Sequence, residues 1–362
     1  VFLKNSGLEL ANIQKSQTMK NAGYFLLGVM TLFGIASVST VKAQPGFHLI
    51  KKTVVGGEGG WDYLMADSEN RRLYLSHSTQ VEVVNLDSHE KIGVIPNLQG
   101  VHGIVVVPKA GRGITTNGRS NTVTIFDLKT LLPVAEVPTG KNPDAALYDN
   151  FSDRVFIFNH SGGSATALDI ATGKVLGTVD LGGTGVEAGV SDEKGTIFVN
   201  LEDNHEVVLF DAKSLAVKAH WKLTPGEEPT GLAIDRVTHR LFTVCHNGLM
   251  IILNSDNGKI VAQVPIGKRV DGAVFDPASK CAISSNGEGS VTVVKEISPN
   301  EFKVAETVKT EPGARTITLD EKTHHIFLST AQYGATPAAT TENPNPRPSV
   351  VPGTFMVLEL GR

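Results

Sequence analysis

Cysteine and excess charge are both scarce in this sequence. Cysteine occurs twice in 362 residues, as Cys245 and Cys281, so no disulfide framework holds the chain and stability must come from a core. The 33 Lys and Arg stand against 37 Asp and Glu, a formal net charge of -4. That near-balance offers no basic face for nucleic acid and no polybasic tether for anionic lipid. Catalytic signatures are missing as well. There is no serine-centred nucleophile elbow, phosphate loop, Cys-His pairing or H-E-x-x-H zinc spacing, and no haem motif or cofactor fingerprint. That silence favours binding over catalysis. Long apolar runs are lacking too. The run "GYFLLGVMTLFGIASV" (23–38) is shorter than the ~20 residues a membrane span needs.

That run has a different meaning. It follows Met19-Lys20 and precedes "STVKAQ" (39–44), with small residues at Val41 and Ala43. A basic start, a short apolar stretch and a V-x-A pattern describe a secretory signal peptide cut after Ala43. Residues 1–18 lack a signal's character, and Val1 points to a start codon placed too early. Residues 1–43 are therefore expected to be removed. Residues 44–362 then form one periplasmic or secreted domain with no membrane span.

What is abundant is a repeat. Gly is frequent at 37 residues and apolar residues reach 41%, as expected where many tight turns join short buried strands. "WDYLMAD" (61–67), "HGIVVVP" (102–108), "PDAALYD" (143–149), "VEAGVSD" (186–192), "PTGLAID" (229–235), "VDGAVFD" (270–276) and "ARTITLD" (314–320) share one layout. A small or polar start leads into an apolar run and then a turn. The aligned starts are Asp62, His102, Asp144, Glu187, Thr230, Asp271 and Arg315. A period in the low forties built from short strands is the signature of an all-β, seven-bladed β-propeller with four antiparallel strands per blade. Second strands follow, such as "RLYLSH" (72–77) and "RLFTVC" (240–245), then third strands ending in Asp87, Asp127, Asp169 and Asp211. Those four carboxylates are expected to close hairpin turns.

The seventh unit runs out after its third strand, "FMVLEL" (355–360), and "FHLIKKTVV" (47–55) matches the missing fourth. The N-terminal strand should complete the last blade and close the ring, leaving no exposed edge to pair with another copy. A monomer is expected. In this register Cys245 ends one second strand and Cys281 begins the next blade's, too far apart for a bridge that needs Cα atoms within ~7 Å.

"NTVTIFDLKT" (121–130), "ALDIATGKVLGTVDLG" (167–182) and "AIDRVTHRLFTVCHNG" (233–248) resemble the YVTN-family β-propeller repeats of secreted bacterial proteins. The resemblance covers about residues 47–360, and "RPSVVPGTF" (347–355) looks like the final-blade insertion of that family. It implies the fold strongly and function weakly, because lactonases and subunits of quinoprotein dehydrogenases share the architecture. The site must carry the functional case.

The first strand of each blade lines the central channel, so the seven aligned starts should form one ring at its mouth. A second set, from the ends of second strands, should lie just outside: His77, Asn117, Asn159, Cys245 and Asn286. The following loops add Arg119, His160, Glu202, Asp203, His205 and His246. The opposite face offers ordinary turns such as "DEKG" (192–195). Such a mouth either solvates strand ends or holds a ligand. Converging carboxylates raise one another's proton affinity unless a cation or Arg315 compensates. Asp144, Asn159, Glu187 and Asp271 would suit Ca²⁺ or Mg²⁺, while zinc would need His102, His77 and Asp62. The Pro-rich stretch 331–353 should form a flap on the same face, with Tyr333, Glu342 or Arg347 positioned to contact a ligand.

Three functions remain. The first is a non-catalytic module binding a small molecule or protein partner. The second is a metal-assisted lactonase-type hydrolase with Asp62 or His102 as base. The third is a propeller subunit of a redox enzyme. Nucleic acid would be excluded unless Arg119, Lys141, Lys268, Arg269 and Arg315 cluster on one sector.

Overall fold

The alternation of β-branched and aromatic residues with polar ones, broken after four to nine residues by turns rich in Gly, Asn and Asp, produces short antiparallel strands joined by tight turns. The computed structural model describes residues 46–341, 344 and 346–362. The expected signal segment, 1–43, and Glu342 lie outside them. Among the described residues, the strands form seven separate four-stranded antiparallel sheets. Blade one comprises Trp61–Asp67, Arg72–His77, Gln80–Asn85 and Lys91–Ile95. The inner strands of blades two to seven are Val101–Val107, Pro143–Asp149, Val186–Ser191, Pro229–Asp235, Val270–Asp276 and Ile317–Asp320. Each inner strand packs on that of the next blade, and the seventh returns to the first. The fold is a seven-bladed β-propeller. No helix among the described residues is long and apolar enough to cross a membrane.

Blade seven closes the ring as its sequence requires. Ile317–Asp320, His325–Thr330 and Met356–Gly361 are joined by His48–Val54, which pairs antiparallel with Met356–Gly361. That pairing ties the two ends of the propeller into one sheet and covers an edge that would otherwise recruit another strand.

The core lies between blades, as seven apolar clusters, one per interface. The third residue of the second strand supplies an aromatic in five blades: Tyr74, Phe156, Phe198, Phe242 and Phe327, each at most 1% exposed. Truncating one such ring costs about 3–5 kcal/mol in a packed interior. Cys245 and Cys281 are both buried and free, and burial pushes the Cys245 thiol up to about 12.

Turn carboxylates set the hairpins. Asp127, Asp169 and Asp211 each accept two backbone N–H groups from the residues that follow. Blade one departs from the expectation. There Asn85 accepts the N–H groups of Asp87 and Ser88, because the strand ends two residues earlier, at Asn85. Asp87 pairs with Arg71 instead, at 2.7 Å.

Candidate functional site

Two backbone devices aim side chains at the channel. The pairing of first with second strand breaks register beside the ring residue in six blades, at Trp61/Leu64, Val101/Ile104, Pro143/Ala146, Val186/Gly189, Pro229/Leu232 and Val270/Gly272. Such bulges turn a side chain out of the sheet plane and recur beside functional sites. Two positions before the ring residue, the backbone is left-handed: Gly100, Asn142, Gly185, Glu228, Arg269 and Gly313 have φ of 50–81°. In five of these blades the left-handed residue's carbonyl accepts the N–H of the residue after the second strand, as from His160 to Asn142 and His246 to Glu228. This bond carries the second-strand loop up beside the ring.

The residue after each ring position is small, because inner strands converge there. These residues are Gly103, Ala145, Ala188, Gly231, Gly272 and Thr316. A Cβ on Gly231 would lie 2.6 Å from the Ala273 nitrogen. Blade one breaks the pattern with Tyr63, whose hydroxyl crosses to donate to Asp144 Oδ2 at 3.2 Å. Below the ring remains a void of about 180 Å³.

Five ring residues join into one ionic chain through blades six, seven, one, two and three. Asp271 Oδ2 is 2.8 Å from Arg315 Nε, whose Nη2 is 3.1 Å from Asp62 Oδ1. Asp62 Oδ2 lies 2.6 Å from His102 Nδ1, which is 3.2 Å from Asp144 Oδ1. Next to it, His160 Nδ1 meets Glu187 Oε1 at 3.0 Å. His246 Nδ1 then lies 3.5 Å from Glu202 and 3.3 Å from Glu228. Each ring acid therefore faces a base or a tyrosine hydroxyl.

Burial shapes the titration of this chain. It pushes Asp144 up to about 6, with Asp62 adding to the effect. It pushes Asp271 up to about 7, opposed by Arg315 and reinforced by Asp62 and Asp144. It also raises Glu187, against the pull of His160. His160 is driven up to about 9 by its bond to Glu187, with burial opposing. Burial would depress His102, but Asp62 and Asp144 outweigh it and hold the imidazole above its ordinary value.

Several expected site residues are placed elsewhere. Asn117, Asn159 and Asn286 are at most 2% exposed, and each donates its amide to two hydroxyls of the neighbouring strand. The partners are Thr122 and Thr124, Ser164 and Thr166, and Ser290 and Thr292. Thr115 and Ser284 donate in turn to the Asn117 and Asn286 carbonyls. In blade three the corresponding residue is Ile157, and Asn159 Oδ1 is left without a partner. His77 is buried and stacked on Phe355 at 4.2 Å, beneath the mouth rather than in it. Thr230 is buried and donates to the Val270 carbonyl. The set Asp144, Asn159, Glu187 and Asp271 is thus not assembled as a coordination shell. Asn159 faces its own blade, and Asp271 faces Arg315. The side-chain groups with metal-ligand proximity among the described residues are Asp62-His102-Asp144, His160-Glu187-Glu202 and Glu202-Glu228-His246, each within 4.8 Å. Ca²⁺ and Mg²⁺ take six or more oxygens, and the first group offers two carboxylates already engaged by Arg315, His102 and Tyr63.

Above the ring, beside blades five to seven and blade one, opens a cavity of about 1700 Å³. The blade-seven insertion forms one wall through Tyr333, Thr336, Arg347 and Val350. It is pinned by a Tyr333–Val350 bridge and by Gly334 N–H to the Ser349 carbonyl, 2.8 Å. Tyr333 packs on Trp61 with ring centroids 6.1 Å apart, and Trp61 on Phe355 at 5.8 Å. Asp271 and Arg315 reach this cavity from the ring, and His246 from the loop after the second strand of blade five. Lys268 and Arg269 also line it, with Lys52 and Arg347. Arg119 packs by Gly100 in blade two and Lys141 by Gly162 in blade three, so the basic sector is narrower than the set considered from sequence. Trp61, Tyr63, Lys52 and Glu228 were not singled out from sequence. Only Tyr63 left a signal there, as the bulky exception at a position otherwise held by small residues.

A solved structure of hydrazine synthase from Kuenenia stuttgartiensis is similar to this chain, with 15% identity over 83% of this chain and 98% of that one and a TM-score of 0.65. At that identity the similarity concerns the fold alone. No protein-family model matches the sequence, and no curated protein matches it.

Proposed function

We propose that this chain is an exported propeller of the YVTN repeat type that binds a small molecule or a protein partner at the channel mouth without transforming it. The observation that carries this reading is the cavity of about 1700 Å³ set between the ring and the blade-seven insertion. Its walls are strand ends and a pinned loop, so it is pre-formed, as binding sites usually are. The ring beneath it engages its own charges, which suits a rigid floor better than a reacting centre. The likeness to hydrazine synthase supports no redox role here.

Gly60 provides the test. It lines the cavity, has no left-handed φ, and a Cβ on it meets nothing within 4 Å. Gly60→Trp should therefore obstruct the mouth without straining the fold. A ligand at about 100 times its Kd stabilises the folded state by about 2.7 kcal/mol. In a thermal-shift screen against a metabolite panel, stabilising compounds should act on the wild type and lose their effect on Gly60→Trp. Equal shifts in both proteins would remove the mouth as the site.

A second reading has one observation in its favour. Asp62, His102 and Asp144 lie within 4.8 Å, and a divalent ion held there would support metal-assisted hydrolysis by activating a bound water. It would have to displace Arg315 and Tyr63 from those carboxylates.

A further inference from the structure

The cavity's charge is opposite in sign to that of the protein. The chain carries a formal net charge of -4, yet the described residues lining the cavity include Lys52, Lys268, Arg269, Arg315 and Arg347 against only Asp271 and Glu311. Glu311 is engaged by Lys52, and Asp271 by Arg315. Lys268, Arg269 and Arg347 are exposed and make no ion pair among the described residues. Glu288, which follows closely in the adjoining loop, accepts from Ser290 instead.

Two details describe how this cationic group is held. Arg315 is fixed through Nε by Asp271 and through Nη2 by Asp62, and its Nη1 has no partner among the described residues. A guanidinium held in this way keeps one oriented donor without paying to order its side chain on binding. Arg269 holds the left-handed position of its blade at φ 57°, as Asn142 and Glu228 do in blades three and five where blades two and four have Gly100 and Gly185, and its side chain lines the cavity. Arg315 and Arg269 are neighbours, since a Cβ on Gly287 would lie 3.3 Å from the Arg315 Cβ and 3.4 Å from the Arg269 Cβ, and Tyr333 lines the same cavity.

We propose that the mouth binds an organic oxyanion carrying two or more negative charges, held by Lys268, Arg269, Arg315 and Arg347 with its body against Trp61 and Tyr333. This inference rests on the mouth being the binding site and adds the chemical class of the ligand. Carboxylates and phosphates share the planar or tripodal oxygen geometry that guanidinium recognises, and the two sources are separated by experiment.

Trp61 is a reporter within the site, and Trp221 is the only other tryptophan. In a Trp221→Phe background, fluorescence is titrated with citrate, with inorganic pyrophosphate, with spermidine as a cationic control, and with NaCl at matched ionic strength. Saturable quenching or enhancement by citrate, pyrophosphate or both, and none by spermidine or NaCl, is expected. The stronger of the two names the source as carboxylate or phosphate. Arg269→Gly should raise the Kd about tenfold or more while leaving the protein as stable as before or more so, because glycine relieves the left-handed backbone. Arg347→Gln, on the insertion, should weaken binding similarly without touching a blade. No saturable response to either anion up to about 10 mM, or a Kd unchanged in both variants, overturns the proposal. If uncharged compounds still lose their thermal shift in Gly60→Trp while both anions fail, the mouth stands as the site and only the anion class falls.

Discussion

Replacing Asp271 with Asn should change how stability depends on pH more than it changes stability at any one pH. Asp271 sits in the ionic chain with 21% of its side chain exposed, 2.8 Å from Arg315, and burial pushes its carboxyl from 3.8 to about 7. Between those two values the folded protein keeps the proton and the unfolded chain has released it. Folding then takes up a proton, so stability falls as pH rises through that window; the penalty is absent below about 4 and complete above about 7. Each unit of displacement corresponds to 1.36 kcal/mol, which sets a ceiling of about 4 kcal/mol. Water at the exposed fifth of the side chain brings the expectation to about 2–4 kcal/mol. Asn carries no proton to lose, and removing Asp271 also relieves Glu187 of one repulsive neighbour, an effect of the same sign. Urea midpoints measured at several pH values from about 4 to 8, with the m-value checked for constancy, should therefore show a shallower decline for Asp271→Asn than for wild type. Arg315→Leu should do the reverse, steepening the decline and extending it above pH ~7. Parallel stability curves for wild type and Asp271→Asn would refute the claim that burial governs this carboxyl.

Asn159→Ala should cost about 2 kcal/mol in urea unfolding by orphaning Ser164 and Thr166, while anion titrations at Trp61 stay unchanged; a lost response with intact stability would return Asn159 to the mouth. Gly231→Ala should be destabilised by about 2–4 kcal/mol, since its Cβ would meet the Ala273 backbone nitrogen at 2.6 Å and neither strand can yield. Gly60→Ala, facing open space, should stay within about 0.5 kcal/mol of wild type, and equal costs at the two glycines would contradict the inner-strand packing. Chelator should leave the thermal midpoint unmoved within about 1 °C, because the ring acids are engaged by Arg315, His102, His160 and Tyr63; a fall of several degrees would favour the metal-assisted reading.

The repeat was legible in the sequence because a propeller blade is a local object. Strands within a blade are neighbours along the chain, so their period, turn residues and polar starts appear at fixed spacing. Ring closure was legible for a similar reason: the seventh unit lacked a strand that residues 47–55 supplied. The ring of Asp62, His102, Asp144, Asp271 and Arg315 followed from the same alignment. What the alignment could not supply was direction. Asn117, Asn159 and Asn286 occupy polar ends of second strands, yet they turn into their blades because hydroxyls of the third strand wait there. His77, at the same register, is covered by Phe355 from far along the chain. The pairing of Arg315 with Asp62, 253 residues away, and the gathering of Lys268, Arg269 and Arg347 around one cavity depend on where blades six, seven and one meet. The sequence by itself determined the number of blades, their strands and the face that holds polar residues, because these are set by hydrogen bonding and hydrophobic periodicity over a few residues. Only the tertiary structure decided which charges cancel and which are left over, because Coulomb interactions are fixed by distance in space, and the blades alone set those distances.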